Sequence, residues 1–275
     1  MDYQIYQCTE NKDAEYLVLS SGLGGHASFW QPQVDFFSKY FHVFVYDQEG
    51  CLAHSELLKK DYAIEDLALQ LFYLLQEAGV EKFHFLGHAL GGFIGAELAR
   101  IIRYTDLSIQ SLTVLNGWYS LDVHTFKCFQ TRIALLKNSG IQAFVMAQAL
   151  FLYPPAWISK NIEWLKQQEK KQIENFLPAY NMFIRLQAVI EYQFNDETIQ
   201  ALKKIPINLI ANKDDFLVPY QQSEALVQAL PHANLHLEDK GGHAATITET
   251  EVMNSVILSM IQSVKDKSIL ASHVA

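Results

Sequence analysis

The chain has 275 residues, 50% of them apolar and 19% charged, enough to bury a substantial core as one large domain or as a domain with an insertion. A formal net charge of −9 argues against nucleic-acid and anionic-membrane partners, which require basic patches, and the Lys59-Lys60 and Lys170-Lys171 runs are too short to form one. Cys8, Cys51 and Cys128 are far apart, with no CxxC or Cys/His metal spacing, and read as free thiols in a reducing compartment. Met1-Asp2-Tyr3-Gln4 lacks the basic start and apolar stretch of a signal peptide. No run approaches the ~18 apolar residues of a membrane span. The expectation is a cytoplasmic protein.

In chain order, strand-like runs fall at 3–8, 16–20, 42–46, 82–86, 111–115, 207–211 and 234–237. Those at 16–20, 42–46, 83–86 and 207–211 are mostly apolar, as strands buried on both faces of a parallel sheet are. Between them, apolar residues at 64, 67, 68, 71, 72, 74, 75 and 78 have helical spacing, and 90–102 and 252–264 read the same way. This alternation predicts a mostly parallel, doubly wound α/β sheet. It breaks between 118 and 199, where only helical periodicity rich in aromatics appears. The expectation is therefore a core of 1–117 and 200–264, a helical cap of 118–199 inserted before the last two strands, and a frayed tail from 265 to 275. Such a cap would cover the sheet edge where open α/β sheets bind ligands. Most of its aromatics read as packing.

The strand Phe83-His84-Phe85-Leu86 runs into Gly87-His88-Ala89-Leu90-Gly91-Gly92 and directly into an apolar helix. Strand, sharp turn and helix in that order form the context of a nucleophile elbow, G-x-S-x-G, and of the α/β-hydrolase fold. Residue 89 would occupy a strained backbone position, with glycines two before and two after giving room. The turn would also aim the amide of Leu90 at the same spot. Upstream, Ser21-Gly22-Leu23-Gly24-Gly25 follows a buried strand, where such a hydrolase places its other oxyanion-hole amide. Leu23 is the candidate, flanked by Gly22 and Gly24. Neither a Walker pattern nor a G-x-G-x-x-G fingerprint is present.

Downstream, Asn212-Lys213-Asp214-Asp215 precedes Pro219 just past a buried strand, which makes Asp215 the candidate acid, with Asp214 second. Lys240-Gly241-Gly242 leads to His243, a loop histidine freed to swing over the sheet edge. The order elbow, Asp, His matches the α/β-hydrolase arrangement. His88 reads as a local hydrogen-bonding residue, and Trp118, Tyr153 and Trp157 as cap residues that size the pocket. No ligand cluster implies a metal or an organic cofactor.

The elbow holds alanine, which cannot form an acyl-enzyme. In subtilisin, loss of the serine costs a factor of about 2 × 10⁶ in kcat. Three readings follow: an enzyme that uses water directly, a serine esterase or amidase with alanine substituted at its nucleophile, or a small-ligand-binding protein on a hydrolase frame. The otherwise intact machinery counts against the last.

Across roughly 16–260, the chain resembles the α/β-hydrolase family of the bacterial Rut pyrimidine-utilisation pathway. The matching segments are Ser21–Gly25, Tyr46-Asp47-Gln48, Gly87-His88-Ala89-Leu90-Gly91, Asn116-Gly117-Trp118, 150–154, 214–219 and Gly241-Gly242-His243-Ala244. The resemblance implies that alanine in the elbow is the family's own residue. It further implies hydrolysis of a small anion late in uracil breakdown: carbamate to ammonia and carbon dioxide, or 3-aminoacrylate to malonic semialdehyde and ammonia. Neither reaction needs a covalent intermediate. Glu49-Gly50-Cys51 departs from the family's Arg-Gly-Thr and removes a common structural arginine. The partner implied is a small-molecule substrate, and a homodimer would be unsurprising.

Overall fold

The computed structural model describes the backbone of residues 3–272 and the side chains of residues 3–264. Seven strands form one sheet in the order β1-β3-β2-β4-β5-β6-β7. They are β1 (Tyr3–Tyr6), β2 (Tyr16–Ser20), β3 (His42–Tyr46), β4 (Lys82–His88), β5 (Ser108–Leu115), β6 (Ile207–Asn212) and β7 (Asn234–Glu238). Only the edge strand β1 is antiparallel, pairing Tyr3 with Tyr46. The remaining pairs are parallel, from Tyr16↔His42 through Asn208↔Asn234, with a register shift between Phe83 and His84 where β4 pairs with β5.

Alternation along the strands explains the two cores. Val18, Phe44 and Tyr46 point to the face covered by α2 (Ile64–Ala78) and α3 (Leu90–Ile101), whereas Leu17, Leu19, Val43 and Val45 point to the other. That second face is closed by α1 (Gln31–Phe37) and α11 (Thr250–Ser272), through Val34, Phe37, Met253, Ile257 and Ile261. Burial on both faces is why these strands read as continuous apolar runs.

Between β5 and β6 lie α4 (Val123–Leu152), α5 (Pro155–Lys160), α6 (Ile162–Glu174), α7 (Ala179–Glu191) and α8 (Asp196–Leu202). Asp122 caps α4, its Oδ1 accepting from the Thr125 amide at 2.7 Å, and the helix is interrupted at Gly140, where φ is 83°. The boundary read at 199 falls inside α8, which packs on core helix α3. There the Glu97 carboxylate accepts from Thr198 Oγ1 (2.9 Å), Tyr192 Oη (3.0 Å) and Arg100 Nε (2.7 Å), tying the end of the insertion to the core. After β6 come α9 (Gln221–Ala229), and after β7 the short α10 (Ala245–Thr248) and α11.

The helix α11 runs through Ser272, past position 265 where the tail was expected to begin. The stretch Thr250–Ser272 contains neither Gly nor Pro, so nothing in it stops helix propagation. The rest of that tail, 273–275, lies outside the described residues. Among the described residues no helix is long and apolar enough to cross a membrane. Cys8, Cys51 and Cys128 are buried free thiols.

Candidate active site

The elbow forms where β4 meets α3. Ala89 adopts φ 47°, ψ −109°, a conformation that costs a non-glycine residue on the order of 1–3 kcal/mol. Its amide is anchored on β5 by donating to the Leu115 carbonyl at 2.8 Å. A Cβ on Gly87 would lie 2.4 Å from the Gly91 carbonyl carbon, and one on Gly91 only 2.1 Å from the Ser20 oxygen. Both glycines are thus required by backbone crossing at the turn. Leu90 is the first residue of α3, so its amide is among those with no intrahelical acceptor.

Asp215 and His243 arrive from the ends of β6 and β7. The His243 Nδ1 and Asp215 Oδ2 are 2.8 Å apart, with His243 3% and Asp215 7% exposed. The other carboxylate oxygen of Asp215 accepts from the amides of Leu217 (2.8 Å) and Val218 (2.9 Å), so the loop after β6 holds one end of the carboxylate and His243 the other. Asp214 has a separate task. It accepts from the amides of Gly241 (3.1 Å) and Gly242 (2.8 Å), shaping the loop that presents the histidine. Gly242 has φ 66°, and a Cβ there would meet the Leu152 oxygen at 2.9 Å.

The backbone of His243 is fixed as well. Its carbonyl accepts from His88 Nε2 at 2.7 Å and from Asn116 Nδ2 at 2.8 Å. The His88 and His243 rings are 4.8 Å apart between centroids, which puts the imidazole beside the residue preceding Ala89. Burial, followed by the neighbouring His243, pushes the His88 pKa down to about 3, so His88 is a neutral donor and no rival base. A sign follows for stability. A histidine depressed in the fold takes up its proton more readily when unfolded. Its contribution is complete above the unfolded value of 6.5 and declines as pH falls toward 3, at about 1.4 kcal/mol per unit. Chemical denaturation of His88→Asn between pH 6.5 and 4 is expected to show a shallower acid loss than the parent; equal slopes would refute the assignment.

On the oxyanion side, a Cβ at Gly22 would lie 2.9 Å from His88 Nδ1, whereas Gly24 faces open space. Leu23 is partly buried against the core. Trp118 is buried, its ring edge-to-face with Phe93 of α3 at 4.5 Å. Tyr153 lines a cleft of about 70 Å³ with Asp214, Phe216 and Gly242, next to the histidine loop. Trp157 stacks on Tyr153 (4.7 Å) and packs edge-on against Trp164 (5.3 Å), an aromatic cluster of the cap. A second cavity of about 20 Å³, apolar and lined by Phe93, Val114 and Leu209 among others, lies between α3 and the sheet and is suited to no polar chemistry.

With this geometry in place, the relatives are informative. The profile of the alpha/beta hydrolase family matches residues 17–254. The chain is 51% identical to the Acinetobacter baylyi protein named "Putative carbamate hydrolase RutD", over 96% of this chain and 98% of that one. The chain belongs to the α/β-hydrolase family, in its RutD branch. A Stutzerimonas stutzeri protein of the same name is 40% identical over 94% of this chain and 95% of that one. Among solved structures, the enol-lactonase from Burkholderia xenovorans superposes with a TM-score of 0.81 at 23% identity, covering 95% and 96% of the two chains, a likeness of fold.

Sequence reading missed three residues that this geometry brings in. Asn116, at a left-handed φ of 52°, donates to the His243 carbonyl and accepts from the Asn212 amide at 3.3 Å. Arg185 of α7, 1% exposed, reaches down from the cap to the Ser21–Gly25 turn. Its Nε and Nη2 each donate to the Leu23 carbonyl at 3.1 Å, its Nη1 to the Glu49 carbonyl at 3.0 Å, and its Nη2 also to Gln48 Oε1. Gln48 in turn donates to the Ser21 carbonyl at 2.7 Å. This guanidinium, supplied from the cap, lies against the turn. The third residue is Arg132 of α4, buried within the cap.

One set of side chains has ligand-like spacing: His26 Nδ1, an Asp47 carboxylate oxygen and Cys51 Sγ lie within 4.8 Å of one another. Its chemistry opposes a divalent cation. Burial pushes the Cys51 thiol up to about 12, the Asp47 Oδ1 already accepts from the Ala27 amide at 2.8 Å, and the Arg185 guanidinium acts electrostatically on both His26 and Cys51.

Proposed function

We propose that the chain breaks a C–N bond of a small anion without a covalent intermediate, converting carbamate to ammonia and carbon dioxide or 3-aminoacrylate to malonic semialdehyde and ammonia. The observation that carries this reading is the buried, hydrogen-bonded Asp215–His243 pair beside an elbow that ends in a methyl group. The acid/base apparatus is kept and the attacker is gone. The shared name of the RutD relatives supports carbamate chemistry.

In this mechanism the amides of Leu23 and Leu90 hold a substrate oxygen, since a helix N-terminus favours negative charge. The missing hydroxyl leaves room there for a carboxylate or a water. His243 Nδ1 is engaged by Asp215, so Nε2 is the nitrogen that meets the substrate. With carbamate, protonated His243 delivers its proton to nitrogen, the C–N bond breaks, and ammonia and carbon dioxide leave; the imidazole regains a proton from solvent. With 3-aminoacrylate, protonated His243 gives its proton to carbon 2 to form the iminium ion. Nε2 then takes a proton from the water adding to carbon 3 and returns it to the departing nitrogen. As ammonia finally leaves, the hydroxyl proton on carbon 3 passes back to Nε2 to give the aldehyde. Asp215 keeps the ring oriented and stabilises its charged form. Trp118 and Tyr153 help close the pocket.

The test is ammonia release from each substrate against the enzyme-free rate, run beside Ala89→Ser with a p-nitrophenyl ester. Release above the spontaneous rate is expected. Release equal to the blank, with a stoichiometric p-nitrophenol burst from Ala89→Ser, would overturn the reading in favour of serine-esterase machinery.

A further inference from the structure

Buried cations are ordinarily paired. Arg132 is not. It is 4% exposed, its Nη2 donates to Gln148 Oε1 at 2.5 Å, and its Nε is buried without a hydrogen-bond partner. The guanidinium carbon lies over three rings of the cap, Phe129 (5.6 Å), Phe144 (5.7 Å) and Phe151 (6.0 Å). Ring faces attract a cation but do not neutralise it. Burial lowers its pKa only to about 10, so it remains charged at neutral pH, and no carboxylate among the described residues forms a salt bridge with it.

Packed rings link this charge to the elbow helix and to the loop that carries Asp215. Phe129 packs on Trp118 at 5.9 Å, and Trp118 on Phe93 of the elbow helix at 4.5 Å. Phe151 meets Phe216, the residue after Asp215, at 6.2 Å. Cys128, one helical turn before Arg132, feels both Arg132 and Asp215. The charge balance has the same sense. Around the elbow the cap buries Arg132 and Arg185, the core contributes buried Asp215, and Glu97 is already paired with Arg100. Leaving the histidines aside, the enclosed groups sum to one positive charge, which a monoanion would complete and a neutral ester or amide would not.

We propose that Arg132 is the specificity-determining counter-ion for the carboxylate of a small monocarboxylate bound over Ala89. The proposal rests on the reading of that pocket as the substrate site, and it needs no turnover to be tested.

Acrylate and acrylamide share a carbon frame and differ in charge. Titration calorimetry of the full-length parent is expected to show acrylate binding well above acrylamide. Arg132→Met, which keeps the aromatic box filled with an unbranched side chain, is expected to weaken acrylate by about 10- to 100-fold and leave acrylamide unchanged. Arg132→Lys, which retains charge but loses the fork, should fall between and provides the measurement if the methionine variant does not fold. Parent-like acrylate binding in either variant, or equal binding of the two probes by the parent, would overturn the proposal. Arginine-dependent acrylate binding without ammonia release would leave this receptor standing and remove the proposed reaction. Ammonia release with unchanged KM in Arg132→Met would do the reverse.

Discussion

A His243→Ala variant is expected to lose about 10²- to 10⁴-fold of the catalysed rate above background, down to the spontaneous rate if the parent's advantage is no larger, while remaining folded. The span is that of a positioned general acid or base, and here the imidazole is the one group placed to move protons: His88, the nearest other ring, is held neutral as a donor to the His243 carbonyl. The fold should tolerate the change because the loop is held by its backbone, through Asn116 and His88 on the carbonyl and Asp214 on the amides of Gly241 and Gly242, and alanine leaves all of these in place. Asp215→Asn should cost less than the histidine deletion, since its oxygen can still accept from Leu217 and Val218 while the ring loses its stabilising charge. The measurement is initial ammonia release corrected for the uncatalysed rate, with far-ultraviolet dichroism as the folding control. A His243→Ala enzyme as fast as its parent ends the acid/base mechanism.

What could be read from the chain, and what could not, divides along physical lines. The elbow is a short motif: crossing backbones demand glycine at 87, against Gly91, and at 91, against Ser20 of β2, so the sequence carries it openly. The strands at 16–20, 42–46, 83–86 and 207–211 were legible because burial on both faces makes them mostly apolar. Asp215 and His243 were legible as an order along the chain, yet the choice between Asp214 and Asp215 needed the loop, since both are carboxylates past the same strand and only their partners tell them apart. The short helices α1 and α9 offer too few turns for a period to emerge. The cap arginines depend wholly on how the insertion docks. A signal for them did exist: Arg132 interrupts the buried stripe Thr125, Cys128, Phe129, Leu136, and Arg185 the stripe Asn181, Met182, Ala188, Val189. An arginine where helical spacing calls for an apolar residue is expensive to bury and is a reason to ask what it holds.

Arg185 answers that question most clearly, and its replacement should produce the second large effect. Substituting methionine leaves three acceptors, the Leu23 and Glu49 carbonyls and the Gln48 amide oxygen, without their donor in a dry interface. Each orphaned acceptor costs about 1–3 kcal/mol, partly offset because a buried cation no longer needs desolvating, which gives an expected net loss of about 2–4 kcal/mol. The larger consequence is geometric. The Leu23 carbonyl is held by two guanidinium nitrogens, and releasing it frees the peptide next to the proposed Leu23 donor, so an oxyanion site preorganised by the cap would become one that must be assembled at each encounter. Arg185→Lys should retain much of the stability but not the rate, because an ammonium cannot span Leu23 and Glu49 together. Denaturant titration of both variants, with kcat and KM measured on the folded fraction, separates the two effects. A purely structural arginine would lower the melting point and leave kcat of the folded enzyme unchanged. A kcat deficit in Arg185→Lys that exceeds its stability deficit is the expected result, and it would make docking of the cap a condition for forming the oxyanion turn.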